Sequence, residues 1–321
     1  MSDAIVIKGV TKTFGPKVAV DNLDMVVPRG RLCGFIGRNG AGKTTTIRMI
    51  MSIIFPDRGE LTVLGKSSAV ESKDRIGYLP EERGVYRKMK VLPFLTYMAR
   101  LKGVDAAPAR QRAMNWLERV DLAPWCLKRC EELSKGMQQK VQFVSSIIHD
   151  PELIILDEPF SGLDPVNLAL LRDLIKEQHA AGKTIIFSTH VMHTAEQMCN
   201  HLFMINMGQK VLDASLNDLR ERFDPRTLVV EPLVSDSSWE SLRAIPGILR
   251  FTATDEGYEM NLEEHADPAR IMQAALAIGP VRRVEMKRPR LEEIFRQLAG
   301  DAPDEDAQAA RAPAGSGIGQ D

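Results

Sequence analysis

The stretch "GRNGAGKTT", Gly37–Thr45, sets glycines, a lysine and two hydroxyls at the spacing G-x-x-x-x-G-K-[ST]. Such a loop can turn successive backbone N–H groups inward around phosphate oxygens, and a helix opening directly behind it adds a favourable dipole. Gly37, Arg38, Asn39, Gly40, Ala41 and Gly42 then form the cradle. Lys43 would reach the β- and γ-phosphates and the Thr44 hydroxyl would hold Mg²⁺, with Thr45 the last residue of the loop. The motif carries weight only between a strand and a helix. "GRLCGFIG" before it reads as a buried strand, and "KTTTIRMIMSII" after it reads as a helix running to Pro56.

Two further stretches supply groups suited to phosphate chemistry. In "LIILDEP" an apolar strand ends in Asp157, which brings a carboxylate to the sheet edge beside the loop, where it can order the water shell of Mg²⁺. Glu158 follows at once. Strand alternation predicts that it faces away from Asp157, free to align and polarise an attacking water. "TIIFSTH" is a second apolar strand, and His190 at its end arrives at the same edge, within reach of a γ-phosphate through one ring nitrogen.

A fourth stretch, "ELSKGMQQKVQFVSS", opens a helix in an unusual way. Ser134 stands at the N-cap position and Val141, Val144 and Ile148 follow at helical spacing. Yet the first turn holds Lys135, Gly136, Met137 and Gln138, and a glycine there costs about 1 kcal/mol relative to alanine. A hydroxyl, a cation, a glycine and amides at a helix N-terminus suit an anion.

The elements that must position these groups alternate. Apolar strands at Leu153–Leu156 and Thr184–Ser188 flank a helix over Val166–Ala181, which indicates a parallel α/β sheet covered on both faces. From about Leu92 to Leu133 the pattern is helical, with interruptions expected at Pro108 and Pro124. From Thr227 the order is strand, helix, strand, strand, helix, strand and a closing helix, "LEEIFRQLAG". Its first six elements make a β-α-β-β-α-β unit of ferredoxin-like type. The final "DAPDEDAQAARAPAGSGIGQD" has almost no large apolar residue and is expected to be disordered.

Composition narrows the function classes. The chain has 321 residues, 42 basic against 43 acidic side chains and a formal charge of −1, so no basic excess points to nucleic acid. The four cysteines (Cys33, Cys126, Cys130, Cys199) have no metal-binding spacing and read as free thiols of a reducing compartment. No secretory signal is apparent. The longest apolar runs fall far short of the ~20 residues of a membrane helix, so any work at a membrane is expected from outside the bilayer.

With these motifs in this order, the first 220 or so residues resemble the ATP-binding subunits of ABC transporters. The resemblance implies an α/β P-loop NTPase of the ABC type over 1–222, with a helical subdomain at about 88–147, an accessory α+β domain over 223–300 and a tail over 301–321. On that boundary a chain ending near Phe223 should keep a folded ATPase.

The resemblance also assigns roles. Phe14 matches the aromatic that stacks on adenine, and Glu81 in "IGYLPEE" falls where the family carries a glutamine that touches Mg²⁺. Lys43, Glu158 and His190 match catalytic positions, with Thr44, Glu81 and Asp157 around the metal. Ser161, Gly162, Leu163 and Asp164 match the dimer-contact loop. "LSKGMQQ" matches the signature, so Ser134 to Gln138 serve the ATP of a partner subunit in a head-to-tail homodimer. Lys135, Met137 and Glu81 depart from the usual residues, and Glu81 adds negative charge beside the phosphates.

The spelling of the signature, "LPEERGVY" and the extra domain are most similar to ATPases of ABC-2 type exporters of the sodium- and drug-efflux sort. That implies ATP and Mg²⁺ as cofactors, a separately encoded permease, and a peripheral place on the cytoplasmic face of the membrane. Arg83, Tyr86, Arg87 and Met89 would meet the permease, while Phe94, Leu95 and Met98 pack inside. The alternatives are a DNA-repair or translation-factor-like ABC ATPase and a regulatory nucleotide-binding protein. The first lacks support because no sustained heptads separate loop and signature and only one ATPase copy is present. Retention of Lys43, Asp157, Glu158 and His190 disfavours the second.

Overall fold

The computed structural model describes residues 3–82, 84–224, 226–234 and 237–299. Arg83 and the expected tail over 301–321 lie outside the described residues.

The chain opens with two long strands, β1 (Asp3–Phe14) and β2 (Lys17–Pro28), then the short apolar β3 (Leu32–Ile36), which runs into the glycine loop and α1 (Lys43–Ile50). The helix is shorter than expected. It ends at Met51 in a turn in which Ser52 takes a positive φ of 55°, well before Pro56. β4 (Arg58–Val63) and β5 (Ile76–Leu79) follow. The helical subdomain then supplies α2 (Val91–Leu101), α3 (Ala106–Arg119) and α4 (Lys135–Ile147). Pro108 does not interrupt it. It sits in the first turn of α3, where its missing N–H costs nothing, and the break between helices falls at Gly103 with φ 86°.

The second half of the sheet is built from β6 (Leu153–Leu156), α5 (Pro165–Ala180), β7 (Thr184–Thr189), α6 (Met192–Met198), β8 (His201–Asn206), β9 (Gln209–Ser215) and α7 (Leu216–Arg222). The six-stranded sheet has the order β5-β6-β7-β3-β8-β9, parallel except for the β8–β9 hairpin. Every residue of β3, β6 and β7 is buried, as continuous apolar runs require when both faces are covered. Against one face lies the antiparallel sheet β2-β1-β4, whose core side chains meet those of β3 and α1. The other face is covered by α4, α5, α6 and the rest of the helical subdomain.

The last unit comprises β10 (Thr227–Pro232), β11 (Ile248–Ala253), β12 (Tyr258–Leu262), α8 (Pro268–Ile278), β13 (Val281–Met286) and α9 (Leu291–Ala299). Its strands pair antiparallel in the order β11-β12-β10-β13, the arrangement of a β-α-β-β-α-β unit. The first expected helix is a 3₁₀ segment, Ser237–Ala244, which buries Trp239 and Leu242 against the sheet. α9 departs from the unit. Its Leu291, Ile294 and Phe295 join the core shared by α2–α7, and the Leu291 N–H donates to Glu196 of α6 at 2.8 Å.

Candidate nucleotide-binding and hydrolysis site

Three neighbouring strands, β6, β7 and β3, deliver their C-terminal ends to one crevice, which is where parallel α/β sheets bind ligands. β3 delivers the glycine loop. Gly42 caps α1 with φ 110°, and a Cβ there would stand 2.5 Å from the Ala19 carbonyl oxygen, so only glycine serves both turn and contact. No side chain caps α1, which leaves its first N–H groups for an anion.

Lys43 is buried. Its Nζ donates to the carbonyls of Gly37 at 2.8 Å and Arg38 at 3.1 Å and lies 3.4 Å from Glu158 Oε1. The cleft above it, about 290 Å³, is lined by Phe14, Asn39, Gly40, Gly42, Lys43, Thr44, Thr45, Glu81 and Glu158. Lys17 and Ala19 of β2 line it too, and nothing in their sequence context marks them. Phe14 is half exposed at the mouth, with the Lys12 ammonium 5.6 Å from its ring centre. Arg38 is turned elsewhere, its guanidinium over the Phe295 ring of α9.

Asp157 and Glu158 lie just past the end of β6, and strand alternation is not what separates them. Glu158 takes a left-handed φ of 47°, so a turn swings its side chain away from that of Asp157. Its Oε2 meets His190 Nδ1 at 3.0 Å, and Glu158 itself is only 6% exposed. Asp157 is 1% exposed; burial raises its carboxyl above the usual range, against hydrogen bonds from Ser188 and Thr44 that pull it down.

The Thr44 hydroxyl lies 3.3 Å from Asp157 Oδ1 and 3.4 Å from Glu81 Oε2. Asp157 Oδ2 is buried without a protein partner. A hydroxyl and two carboxylates, one with an orphaned oxygen, form an all-oxygen donor set that fits Mg²⁺. Among the described residues no three His, Cys, Asp or Glu side chains form a metal cage.

Ser134 caps α4 as expected, its hydroxyl accepting from Met137 N at 3.3 Å. The side chains of the first turn do not all face outward. Gln138 donates to the carbonyls of Cys130 and Leu133, both at 3.1 Å, and Met137 packs on the core. Ser134 and Lys135 stay exposed. Gly136 abuts α5: a Cβ on it would lie 2.9 Å from Asn167 Nδ2. Asn167 is tied to Asp164, whose carboxylate caps α5 by accepting from Val166 N and Asn167 N. Ser161, Gly162 and Asp164 are exposed, and Leu163 packs inward. None of Ser134, Lys135 and Gly136 lines the chain's own cleft.

Between the cleft and α4 runs a linkage of side chain to backbone. The Gln142 amide of α4 donates to the carbonyls of Pro80 and Glu82, on either side of Glu81. Further on, Cys130 N donates to the Met89 carbonyl and Glu131 N to that of Arg87. Tyr86, Arg87, Lys88, Met89 and Tyr97 shape a shallow groove in which the Tyr86 ring meets those of Phe94 and Tyr97 edge-on. Phe94 and Leu95 are buried and Met98 packs on the core, as expected.

Comparison with known proteins decides the family. A family model described as ABC transporter matches residues 20–161. The ABC transporter ATP-binding protein YhaQ of Bacillus subtilis is 39% identical over 92% of this chain and 98% of its own length. The chain belongs to the ATP-binding proteins of ABC transporters. A second model, described as ATP-binding protein DrrA1-3-like, C-terminal domain, matches residues 215–299. The Nod factor export ATP-binding protein I of Cupriavidus metallidurans is 33% identical over 94% of this chain and 98% of its own length. A solved ATP-binding subunit of an ABC transporter superposes with a TM-score of 0.64 at 30% identity, over 68% of this chain and 93% of that one. This ABC ATPase therefore binds and hydrolyses ATP to energise transport. Among the described residues no helix is long and apolar enough to cross a membrane.

Proposed function

We propose that this ABC ATPase drives an exporter: it works as a head-to-tail homodimer on the cytoplasmic face of the membrane, bound to a separately encoded permease. One observation carries the dimer. Lys43, Thr44 and Glu158 line one cleft, with Asp157 bonded to Thr44 and His190 to Glu158, while Ser134, Lys135 and Gly136 stand at a helix N-terminus that lines no part of it. A second copy related by a twofold axis brings that helix end to the cleft and takes the same service in return. Export is favoured by the Nod factor relative, whose similarity spans nearly the whole of both chains.

In this reading Phe14 stacks on adenine and the amides of Gly37–Thr45 take the phosphates. Lys43 exchanges the carbonyls of Gly37 and Arg38 for phosphate oxygens. Thr44, Asp157 and Glu81 hold Mg²⁺, which when bound neutralises phosphate charge. Glu158 accepts a proton from the attacking water, and His190 orients it and reaches the γ-phosphate. From the partner, the Ser134 hydroxyl, the Lys135 ammonium and the open N–H groups of α4 cap the γ-phosphate, with Ser161 to Asp164 at the seam. ATP holds the dimer shut and hydrolysis releases it. The permease seats a short apolar segment in the Tyr86–Met89 groove.

Glu158→Gln tests the hydrolytic assignment. The variant should bind ATP, lose at least about 100-fold in turnover and accumulate as an ATP-bound dimer in size-exclusion chromatography. Lys43→Ala should weaken nucleotide binding and give no trapped dimer. Full activity of Glu158→Gln would remove the assignment.

A further inference from the structure

One buried hydroxyl at the site has no part in any role assigned so far. Ser188 is the fifth residue of β7, in the middle of the sheet, and its exposure is 0%. An isolated hydroxyl in such a place costs free energy unless it is paired. Here it is paired twice: it donates to Asp157 Oδ1 at 2.6 Å and accepts from the Glu158 N–H at 2.9 Å. Two residues further along the chain, His190 Nδ1 takes the Glu158 carboxylate at 3.0 Å. The end of β7 thus grips Glu158 by its backbone and by its carboxylate, and with the same serine fixes the neighbouring Asp157.

Glu158 needs that grip. Its φ of 47° is a left-handed conformation that strains a non-glycine residue, and surrounding contacts must hold it there. Asp157 Oδ1 is shared between Ser188 and Thr44, which leaves Oδ2 as the oxygen without a protein partner.

We propose that Ser188 is a positioning residue for ATP hydrolysis, setting the separation and orientation of the Asp157 and Glu158 carboxylates through a hydroxyl that bonds to both residues. The proposal rests on the reading of Glu158 as the group that acts on water. Ser188 itself is fully buried and lines no part of the cleft.

The test is Ser188→Ala in the full chain, with Ser188→Thr to return the hydroxyl. Ser188→Ala should lower kcat by about 10–100-fold and raise the Mg²⁺ concentration for half-maximal activity several-fold. Affinity for ATP without Mg²⁺, set by the glycine loop, should stay within about twofold, so the loss falls on kcat and not on binding. The ATP-dependent dimer should still form and should persist longer. Ser188→Thr should recover most of the turnover. If the threonine does not fit, the split between kcat and Mg²⁺-free affinity in Ser188→Ala carries the result.

Wild-type kcat in Ser188→Ala overturns the proposal. So does a parallel fall of kcat, ATP affinity and melting temperature, which would make the serine a packing residue only. Glu158→Gln run beside it separates the two ideas. If Glu158→Gln is inactive and Ser188→Ala is active, only the serine's role is lost. If Glu158→Gln is active, the Glu158 reading fails, and the Mg²⁺ dependence of Ser188→Ala then decides for or against its hold on Asp157.

Discussion

His149 shows how a buried polar side chain here carries stability without chemistry. It follows α4 and its Nε2 donates to the Ile76 carbonyl at 3.1 Å, while Nδ1 is buried without a partner. Burial, helped by the Lys102 ammonium, pulls the ring down to about 4 from an ordinary value of 6.5. The folded pKa is the lower one, so the unfolded chain binds more protons between these values. Stability is therefore whole above pH 6.5 and falls as pH drops towards 4, by roughly 3 kcal/mol at most. His149→Gln can keep a donor to Ile76 and cannot take the proton. Its melting temperature should depend less on pH over that window than the wild type's, whatever its absolute value. Parallel pH curves for the two proteins would place the acid sensitivity elsewhere. Residues of this kind are poorly legible in sequence. His149 has no motif around it, Ser188 sits inside the His190 stretch without a pattern that marks it, and their partners, Ile76, Asp157 and Glu158, are distant in the chain. Lys43, Asp157 and His190 were legible because each closes or follows a strand that can be recognised by its apolar run.

Elements were legible where local pattern and burial agree. β3 and β6 have no polar interior to confuse the reading, β7 carries the apolar run 185–187, and the cap of α4 was visible in Ser134. The misreadings come from tertiary choices. α1 ends early in a left-handed turn at Ser52, and Gln138 turns inward to donate to the Cys130 and Leu133 carbonyls of the preceding loop. Coupling to a permease belongs to this scale. The Tyr86–Met89 segment is bonded through its backbone to Cys130 and Glu131, just ahead of Ser134, so a push on the groove can reach the signature turn through rigid links. The groove also offers Arg87 and Lys88 beside its aromatic rings. Tyr86 is 52% exposed, so Tyr86→Asp should leave the fold and ATP affinity near wild type. It should abolish co-purification with the permease from detergent-solubilised membranes and the transport that depends on it. Co-purification at wild-type yield would move the coupling surface to another face.

The whole molecule is closed by its last helix. The expected boundary near Phe223 treats everything beyond as separate, yet α9 returns to the ATPase part. Leu291, Ile294 and Phe295 are all buried there, in one cluster with Met192, Ala195 and Met198 of α6 and Leu216 and Leu219 of α7. The Leu291 N–H bonds to Glu196, and Phe295 lies under Arg38 of the glycine loop at 5.6 Å. Sequence pattern could show that "LEEIFRQL" is an amphipathic helix but not which core receives its apolar face, because that choice is made across the full length of the chain. Burying three large apolar side chains is worth roughly 1.5–3 kcal/mol each before the cost of ordering the helix. A chain ending at Arg290 should therefore melt at least ~5 °C below the full-length protein and expose the apolar surface of α6 and α7. A chain ending at Phe223 should share that loss, although it removes a further folded unit. Removing only 301–321, whose composition cannot support a core, should leave the melting temperature unchanged. Differential scanning fluorimetry of the three truncations, with and without ATP, makes the comparison. Equal melting of the full chain and the chain ending at Arg290 would show that α9 rests on the ATPase without stabilising it.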